Sequence, residues 1–305
     1  MIDKNKFAPI IIFTYNRLDS LIQTIQYLSK NIDKEYIDLI MFSDSWRNEK
    51  DKENVLDIRK YLYSIKGFKS IKIIERKENY GLAKNIIEGV SDIINEYGKV
   101  IVLEDDLLTS KNFISYMNQA LDFYEEDKQI FSISGYTGKL KSLENLKEDV
   151  YLSYRPSSWG WGTWKDQWSE IDWNVTDFDE FINNKQAVKK FNRGGIDMAR
   201  MLKHCMQGKN HSWAIRWSYA MSKQDKYCVY PKISKIQNIG FGEDATNCTG
   251  IDIYQTNLDS GENNNFKFIK DINIDHRIVK EFKYIYSYGN KLLKRIENYI
   301  SRILN

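Results

Sequence analysis

Apolar and polar positions follow two rhythms along the first hundred residues. Pro9 to Phe13, Ile37 to Phe42 and Ser70 to Ile74 are short runs rich in β-branched residues, the pattern of strands in a sheet covered by helices. Between them the period lengthens. Leu18, Leu21, Ile22, Ile25 and Leu28, and then Val55, Ile58, Leu62 and Ile65 within Lys50 to Ile65, recur at helical spacing; a third helix is predicted from Leu82 to Tyr97. Asn16 is placed to cap the first helix, and Asn79-Tyr80-Gly81 reads as a turn, because Asn and Gly tolerate left-handed backbone. Strand and helix in alternation predict a parallel sheet with right-handed crossovers.

The fourth strand carries the strongest chemical signal. Val100-Ile101-Val102-Leu103 runs without polar interruption into Glu104-Asp105-Asp106. Charges cannot remain inside a strand buried on both faces, so the acids must emerge at its carboxyl end, the edge where open α/β sheets bind ligands. In extended chain Glu104 and Asp106 would point one way and Asp105 the other. Carboxylates sharing a direction repel unless a cation or donor separates them, and a hard divalent cation on a nucleotide diphosphate fits that need. A plain helix start, with Thr109 or Ser110 as its cap near Lys111, fits the triplet equally well when it is taken alone.

Further along, Phe113 to Tyr124 is a predicted helix, Ile130 to Ser134 and Tyr151 to Arg155 predicted strands. A tryptophan- and glycine-rich stretch, Ser157 to Trp168, follows, with Trp164 and Trp168 expected on one face of a helix and the whole expected beside the ligand site. Packing between the sheet and a second lobe is the competing reading of any one tryptophan. Asp177 to Gln207 reads as helical with a break at Gly194-Gly195, and Ser212 to Ser222 as a helix with Trp213, Trp217 and Ala220 on one face. Tyr227 to Tyr230 and Ile233 to Ile236 read as short strands. Gly240 to Asn247 is expected to be a loop able to fold over a ligand, and Gln255 to Asn265 a polar surface loop.

Composition adds limits. The chain has 305 residues, and 45 Lys and Arg against 42 Asp and Glu do not imply a general nucleic-acid surface; no nucleic-acid partner is expected. Three cysteines, Cys205, Cys228 and Cys248, give neither a disulfide framework nor a zinc knuckle and suit a reducing compartment. With no leader pattern and no apolar run of membrane-spanning length, the expected location is the cytoplasm. The stretch from Arg277 to Arg302 interleaves cations with aromatic and aliphatic residues. It is a candidate for the inner face of the membrane, at roughly 1 kcal/mol per cation near the surface, or for a helix packed on its own domain.

No glycine-rich phosphate loop of the GxGxxG or GxxxxGK type is present, which argues against a dinucleotide oxidoreductase or a P-loop NTPase. Instead, Pro9 to Arg17, Ser43-Asp44, Val102 to Leu107, Tyr154 to Trp168 and Tyr230 to Ser234 resemble, in this order, N-acetylglucosaminyltransferase I-like enzymes and bacterial family 2-type sugar transferases of the GT-A fold. The resemblance covers most of residues 8 to 250. It implies a Rossmann-like, mostly parallel sheet flanked by helices, with an aromatic-rich acceptor side. The domain would occupy residues 1–250, with a nucleotide-sugar half (1–108) and an acceptor half (109–250); 251–305 would be an extension.

By the same resemblance the enzyme transfers a sugar from a nucleotide-sugar, expected to be a UDP-sugar, with inversion, to a glycan acceptor, lipid-linked or free, in bacterial surface polysaccharide or glycoconjugate synthesis. Asn16, Arg17 and Asp44 would hold the uridine and diphosphate, with Thr14, Asn79 and Lys84 completing that set. Asp106 would contact Mn2+ or Mg2+, and Glu104 and Asp105 would face sugar and ribose. Trp159, Trp161 and Trp213 would line the acceptor side. An inverting transfer needs a base for the acceptor hydroxyl. The animal members of that group carry an acid pair between two tryptophans of the helix that matches Trp213 to Trp217, whereas Ala214, Ile215 and Arg216 stand here. Asp244 and Glu243 are the candidate bases, with His211 and Asp166 in reserve. The missing carboxylate leaves open a second reading, a catalytically silent module that binds a glycan or a partner transferase.

Overall fold

The computed structural model describes residues 3–240 and 256–287. In its first half the strands are β1 (Ile10–Thr14), β2 (Asp38–Ser43), β3 (Ser70–Glu75) and β4 (Lys99–Glu104), joined by helices α1 (Leu18–Leu28), α2 (Glu49–Leu62) and α3 (Gly81–Tyr97). The two rhythms of the sequence account for this half. Strands β1, β2 and β4 are buried almost throughout, while β3 at the sheet edge alternates between half-buried and exposed.

A short strand β5 (Leu107–Thr109) follows the acids, then α4 (Phe113–Phe123), β6 (Ile130–Ser134), β7 (Val150–Ser153) and β8 (Trp161–Trp164). Helices α5 (Lys165–Ser169), α6 (Phe178–Asn183), α7 (Lys185–Phe191), α8 (Met198–Met206) and α9 (Trp213–Lys223) form the helical lobe. The strands β9 (Tyr227–Pro231) and β10 (Ile236–Asn238) and helix α10 (His276–Ile285) complete the described chain. Eight strands make one sheet in the order β3-β2-β1-β4-β8-β6-β9-β7, and β10 pairs with β5 in a two-stranded sheet. All neighbouring pairs from β3 to β4, and β6 with β9, are parallel; β8 and β7 run against their neighbours. The result is the mostly parallel α/β architecture expected from the sequence.

Two apolar layers cover the sheet. On one side Ile10, Ile12, Leu103, Met117 and Leu121 pack with α1 and α4; on the other Ile11, Phe13, Val102, Trp161 and Trp217 pack with α3 and α9. Trp164 and Trp168 fall in different layers, contrary to the shared helical face expected of them. Trp164 ends a strand and Trp168 lies in the helix after it, and alternation across the strand sends the two rings apart.

The last described segment is less independent than its polar sequence suggests. Asn263 and Asn264 accept hydrogen bonds through their carbonyls from Asn112, the residue before α4 (2.7 Å), and from Gln119 of α4 (2.7 Å). Phe266 and Phe268 pack on Tyr116. In α10, Ile278 and Phe282 are buried, and Glu281 accepts from the backbone N–H groups of Lys141 and Ser142. Residues 276–285 therefore pack on the domain, as the alternative to membrane contact predicted; positions from 288 onward lie outside the described residues. Among the described residues no helix is long and apolar enough to cross a membrane.

Candidate functional site

Strand order fixes where the site lies. The chain moves outward from β1 to β2 to β3, then returns to place β4 on the other side of β1. That reversal, at the carboxyl ends of β1 and β4, is the position where open α/β sheets bind ligands. Phe13 pairs with Glu104, so the loop Thr14 to Arg17 and the acid triplet emerge side by side.

Three chain segments meet there. Arg17 Nη2 donates to Asp105 Oδ1 at 2.7 Å and to Asp106 Oδ2 at 2.9 Å. The Tyr15 backbone N–H donates to Asp105 Oδ2 at 3.2 Å. From the far end of the domain, Ile239 N–H donates to the Asp106 carbonyl at 2.9 Å. Gly240 then packs so closely that an added methyl would overlap the Asp106 carboxylate and press on Arg17. Only glycine fits there.

This arrangement corrects the alternation expected for the acids. Strand β4 ends at Glu104, and Asp105 and Asp106 form a turn, so the period of two stops and both aspartates converge on Arg17. Burial dominates their electrostatics. Glu104 is pushed up to about 8 by burial and then by the charges of Asp106 and Asp105. Asp105 is pushed up to about 6, burial again leading, with Arg17 opposing. For Arg17, burial pulls downward, but the charges of Asp105 and Asp106 outweigh it and hold the guanidinium above its usual range.

The nucleoside-side candidates are tied into the protein. Asp44, 4% exposed, accepts four hydrogen bonds. Oδ1 takes Ser45 N–H (2.9 Å) and Tyr80 N–H (2.8 Å); Oδ2 takes Gly81 N–H (2.9 Å) and Asn79 Nδ2 (3.3 Å). Gly81 sits at φ +68°, a left-handed value suited to glycine that opens α3 with its amide toward Asp44. A carboxylate offers about four acceptor positions, and here each is matched by a protein donor. Asp44 clamps the Asn79-Tyr80-Gly81 turn onto the end of β2. Asn79 also donates to the Ser45 carbonyl at 2.6 Å.

Other expectations also meet a definite geometry. Asn16 does not cap α1, whose cap residue is Arg17 without a side-chain bond; it donates to Asp51 Oδ1 at 3.1 Å, beside the Tyr15 hydroxyl bonded to Asp51 Oδ2 at 2.7 Å. Thr14 donates to the Phe42 carbonyl at 3.3 Å. Lys84 is exposed, with Nζ over the Tyr80 ring at 3.9 Å and 4.0 Å from both Glu78 and Glu88. Tyr15 and Asp51 were not singled out by sequence reasoning, although Tyr15 belongs to the Thr14-to-Arg17 loop; Gly240 opens the glycine-rich stretch expected to fold over a ligand.

The acceptor-side tryptophans divide. Trp161 and Trp213, 1% and 3% exposed, are enclosed with Trp168 and Trp217 in a ring cluster, so neither offers a face to a ligand in this structure. Trp159 is half-buried, edge-on to Tyr136 at 4.7 Å, and precedes the β8 residue that pairs with Val102 near the acid end. Asp166 lies at the other edge: Trp164 pairs with Lys99 at the start of β4, and Lys165 N–H donates to the Gly98 carbonyl at 2.8 Å. The length of β4, about 17–20 Å for six residues, therefore separates Asp166 from the acids and removes it as a base. Glu243 and Asp244 lie outside the described residues.

Whether the residues fit a metal can be asked of the donors present. Among the described residues no group of three or more His, Cys, Asp and Glu side chains could hold an ion unaided. Asp105 and Asp106 supply carboxylate oxygen, the hard donor that Mg2+ and Mn2+ prefer, and such ions commonly take one or two carboxylates and complete their shell with phosphate and water. The donor set fits a cation shared with a phosphate ligand.

Comparison with known families decides what the chain belongs to. The model of the family described as "Glycosyl transferase family 2" matches residues 10–183, more than half of the chain and spanning β1 to α6. The chain belongs to glycosyl transferase family 2. It is thus a glycosyltransferase of the mostly parallel α/β type, and the finer likeness to N-acetylglucosaminyltransferase I-like enzymes is not part of that finding. No curated protein matches the chain. Among solved structures, the glycosyltransferase is similar to the mannosyltransferase PcManGT from Pyrobaculum calidifontis in complex with GDP-Man and Mn2+ (9% identity, TM-score 0.36). That match covers 62% of this chain and 52% of that one, so this chain spans about half the length of PcManGT. Similarity extends to UDP-glucose pyrophosphorylase complexed with UDP-glucose, at 14% identity over 76% of this chain and 91% of that one, with a TM-score of 0.36.

Proposed function

We propose that this glycosyltransferase moves a sugar from a UDP-sugar to a glycan acceptor, with inversion, in the assembly of a bacterial surface polysaccharide or glycoconjugate. The observation carrying this reading is the convergence of Arg17, Asp105 and Asp106 at the strand-order reversal. A paired cation and acid turn at that edge suits a nucleoside diphosphate held partly by guanidinium and partly through a divalent ion. Asp106 is the proposed metal contact, with Glu104 and Asp105 toward ribose and sugar. The ion's contribution is to offset charge growing on the departing diphosphate.

The Asn79–Gly81 turn, clamped by Asp44 and bordered by Arg76 over the Tyr80 ring at 4.5 Å, is the proposed nucleoside side, with Thr14, Asn16 and Lys84 around it. Trp159 is proposed for the acceptor side. Asp244 or Glu243, three or four positions after Gly240 in sequence, is the proposed base. It takes the acceptor hydroxyl proton as that oxygen bonds to the anomeric carbon and the bond to the diphosphate oxygen breaks. The enzyme's place is the cytoplasm, with residues 288–305 proposed to touch the inner membrane face.

A screen of UDP- and GDP-sugars with Mn2+, read by nucleotide release, tests the assignment. Release from at least one UDP-sugar, lost with a chelator and with Asp106→Ala, is expected. Activity that survives both treatments refutes the metal assignment. Nucleotide binding with no turnover on any acceptor favours the silent module.

A further inference from the structure

Arg17 stands where a divalent cation would have to act. Its Nη2 lies between Asp105 Oδ1 and Asp106 Oδ2, at 2.7 and 2.9 Å, with the side chain 27% exposed and Gly240 packed over the pair. A cation taking Asp106 Oδ2 competes there with the guanidinium. On the donor-site reading above, we propose that Arg17 is an internal counter-ion that couples metal and nucleotide binding. It neutralises the acid turn while no donor is present and passes to the diphosphate when the two ligands arrive together.

The coupling follows from the charges. Asp105 and Asp106 put two carboxylates against one guanidinium. A metal ion entering alone displaces Arg17 from its partners and leaves a largely buried cation unpaired, which is costly. A diphosphate entering alone competes with the acid turn for Arg17 and brings negative charge beside it. Each ligand relieves the penalty of the other: the metal satisfies the carboxylates and the diphosphate satisfies the freed arginine. Linkage makes the enhancement the same in both directions. A planar guanidinium suits the exchange, since it can pair with either carboxylate or phosphate.

Calorimetry on the whole protein tests this with Mn2+ alone, UDP alone, and each at saturation of the other. In the wild type, each ligand should tighten the other at least tenfold, by one common factor. Arg17→Gln should bind Mn2+ alone at least fivefold tighter than wild type, with the enhancement by UDP falling toward one. Arg17→Lys, which keeps the charge without the fork, should lie between them and serves should the glutamine variant fail to fold, as judged by its melting curve. A variant that binds Mn2+ alone no tighter than wild type, or that keeps the full mutual enhancement, overturns the proposal. Failure of the donor-site reading looks different: the wild type then binds no UDP even with Mn2+, while Arg17→Gln still tightens Mn2+ alone.

Discussion

The acid turn and the tryptophan cluster are the two conspicuous features of this chain, and they lie one strand apart. Trp161 pairs with Val102, two residues before Glu104. Their fates differ because their chemistry differs. Carboxylates cannot be enclosed without partners, so Glu104, Asp105 and Asp106 are driven to the sheet edge, where they recruit Arg17 and the backbone of Tyr15. An indole loses nothing by enclosure beyond one N–H. Trp161, Trp168, Trp213 and Trp217 therefore pack together under α9, with ring centroids 4.5–5.6 Å apart. Two equally unusual stretches thus become a site in one case and a core in the other.

The sharpest way to break that contrast is to exchange the expected phenotypes. Asp106→Ala should lower transfer by about a hundred- to a thousandfold, as loss of a group acting on transition-state charge does. Its melting temperature should stay near that of the wild type. Trp217→Ala, at a fully buried ring, should do the reverse. It should cost about 3–5 kcal/mol in denaturant unfolding, with activity per folded molecule largely kept. An Asp106 variant that only unfolds, or a folded Trp217 variant without activity, would merge the two regions into one.

Asp44 tests the boundary between them. If its carboxylate holds the turn, Asp44→Asn places an amide against the donors of Asn79, Tyr80 and Gly81 and should cost about 1–3 kcal/mol. Affinity for UDP and GDP should then fall by similar factors. A selective change between pyrimidine and purine nucleotides would show that Asp44 reads the base directly.

The pH response of the metal-free protein is a smaller effect. Glu104 titrates near 8 in the folded chain against an ordinary 4.5, so folding favours its neutral form. The stability it contributes is complete below about pH 4.5 and is lost as pH rises toward 8. Glu104→Gln should therefore flatten the fall in melting temperature between pH 5 and 8, the outcome that thermal melts without metal would check. Asp166→Ala should be the mildest change, within about 0.5 kcal/mol of wild type as an exposed substitution and without effect on nucleotide release. A large loss of turnover would return Asp166 to the site.

Much of this was legible in the sequence because the signals are local. Apolar runs and helical periodicity located the first four strands and three helices, and the incompatibility of charge with a doubly buried strand put the acids at a sheet edge. Arg17 and Asp44 stood out because each closes or follows a strand. Tertiary structure decided the rest. Only the order β3-β2-β1-β4 puts the loops after β1 and β4 at a strand-order reversal, and only the turn after Glu104 sends both aspartates to Arg17. The bonds from the Tyr80 and Gly81 amides to Asp44 and the contact between Gly240 and Asp106 join residues 36 to 134 positions apart. The antiparallel register of β8 sends Asp166 away from the acids and draws Trp161 into the core. Pattern along a chain reports which groups must be buried and which must reach water; which groups then meet depends on strand order and register, and those are settled by packing between distant segments.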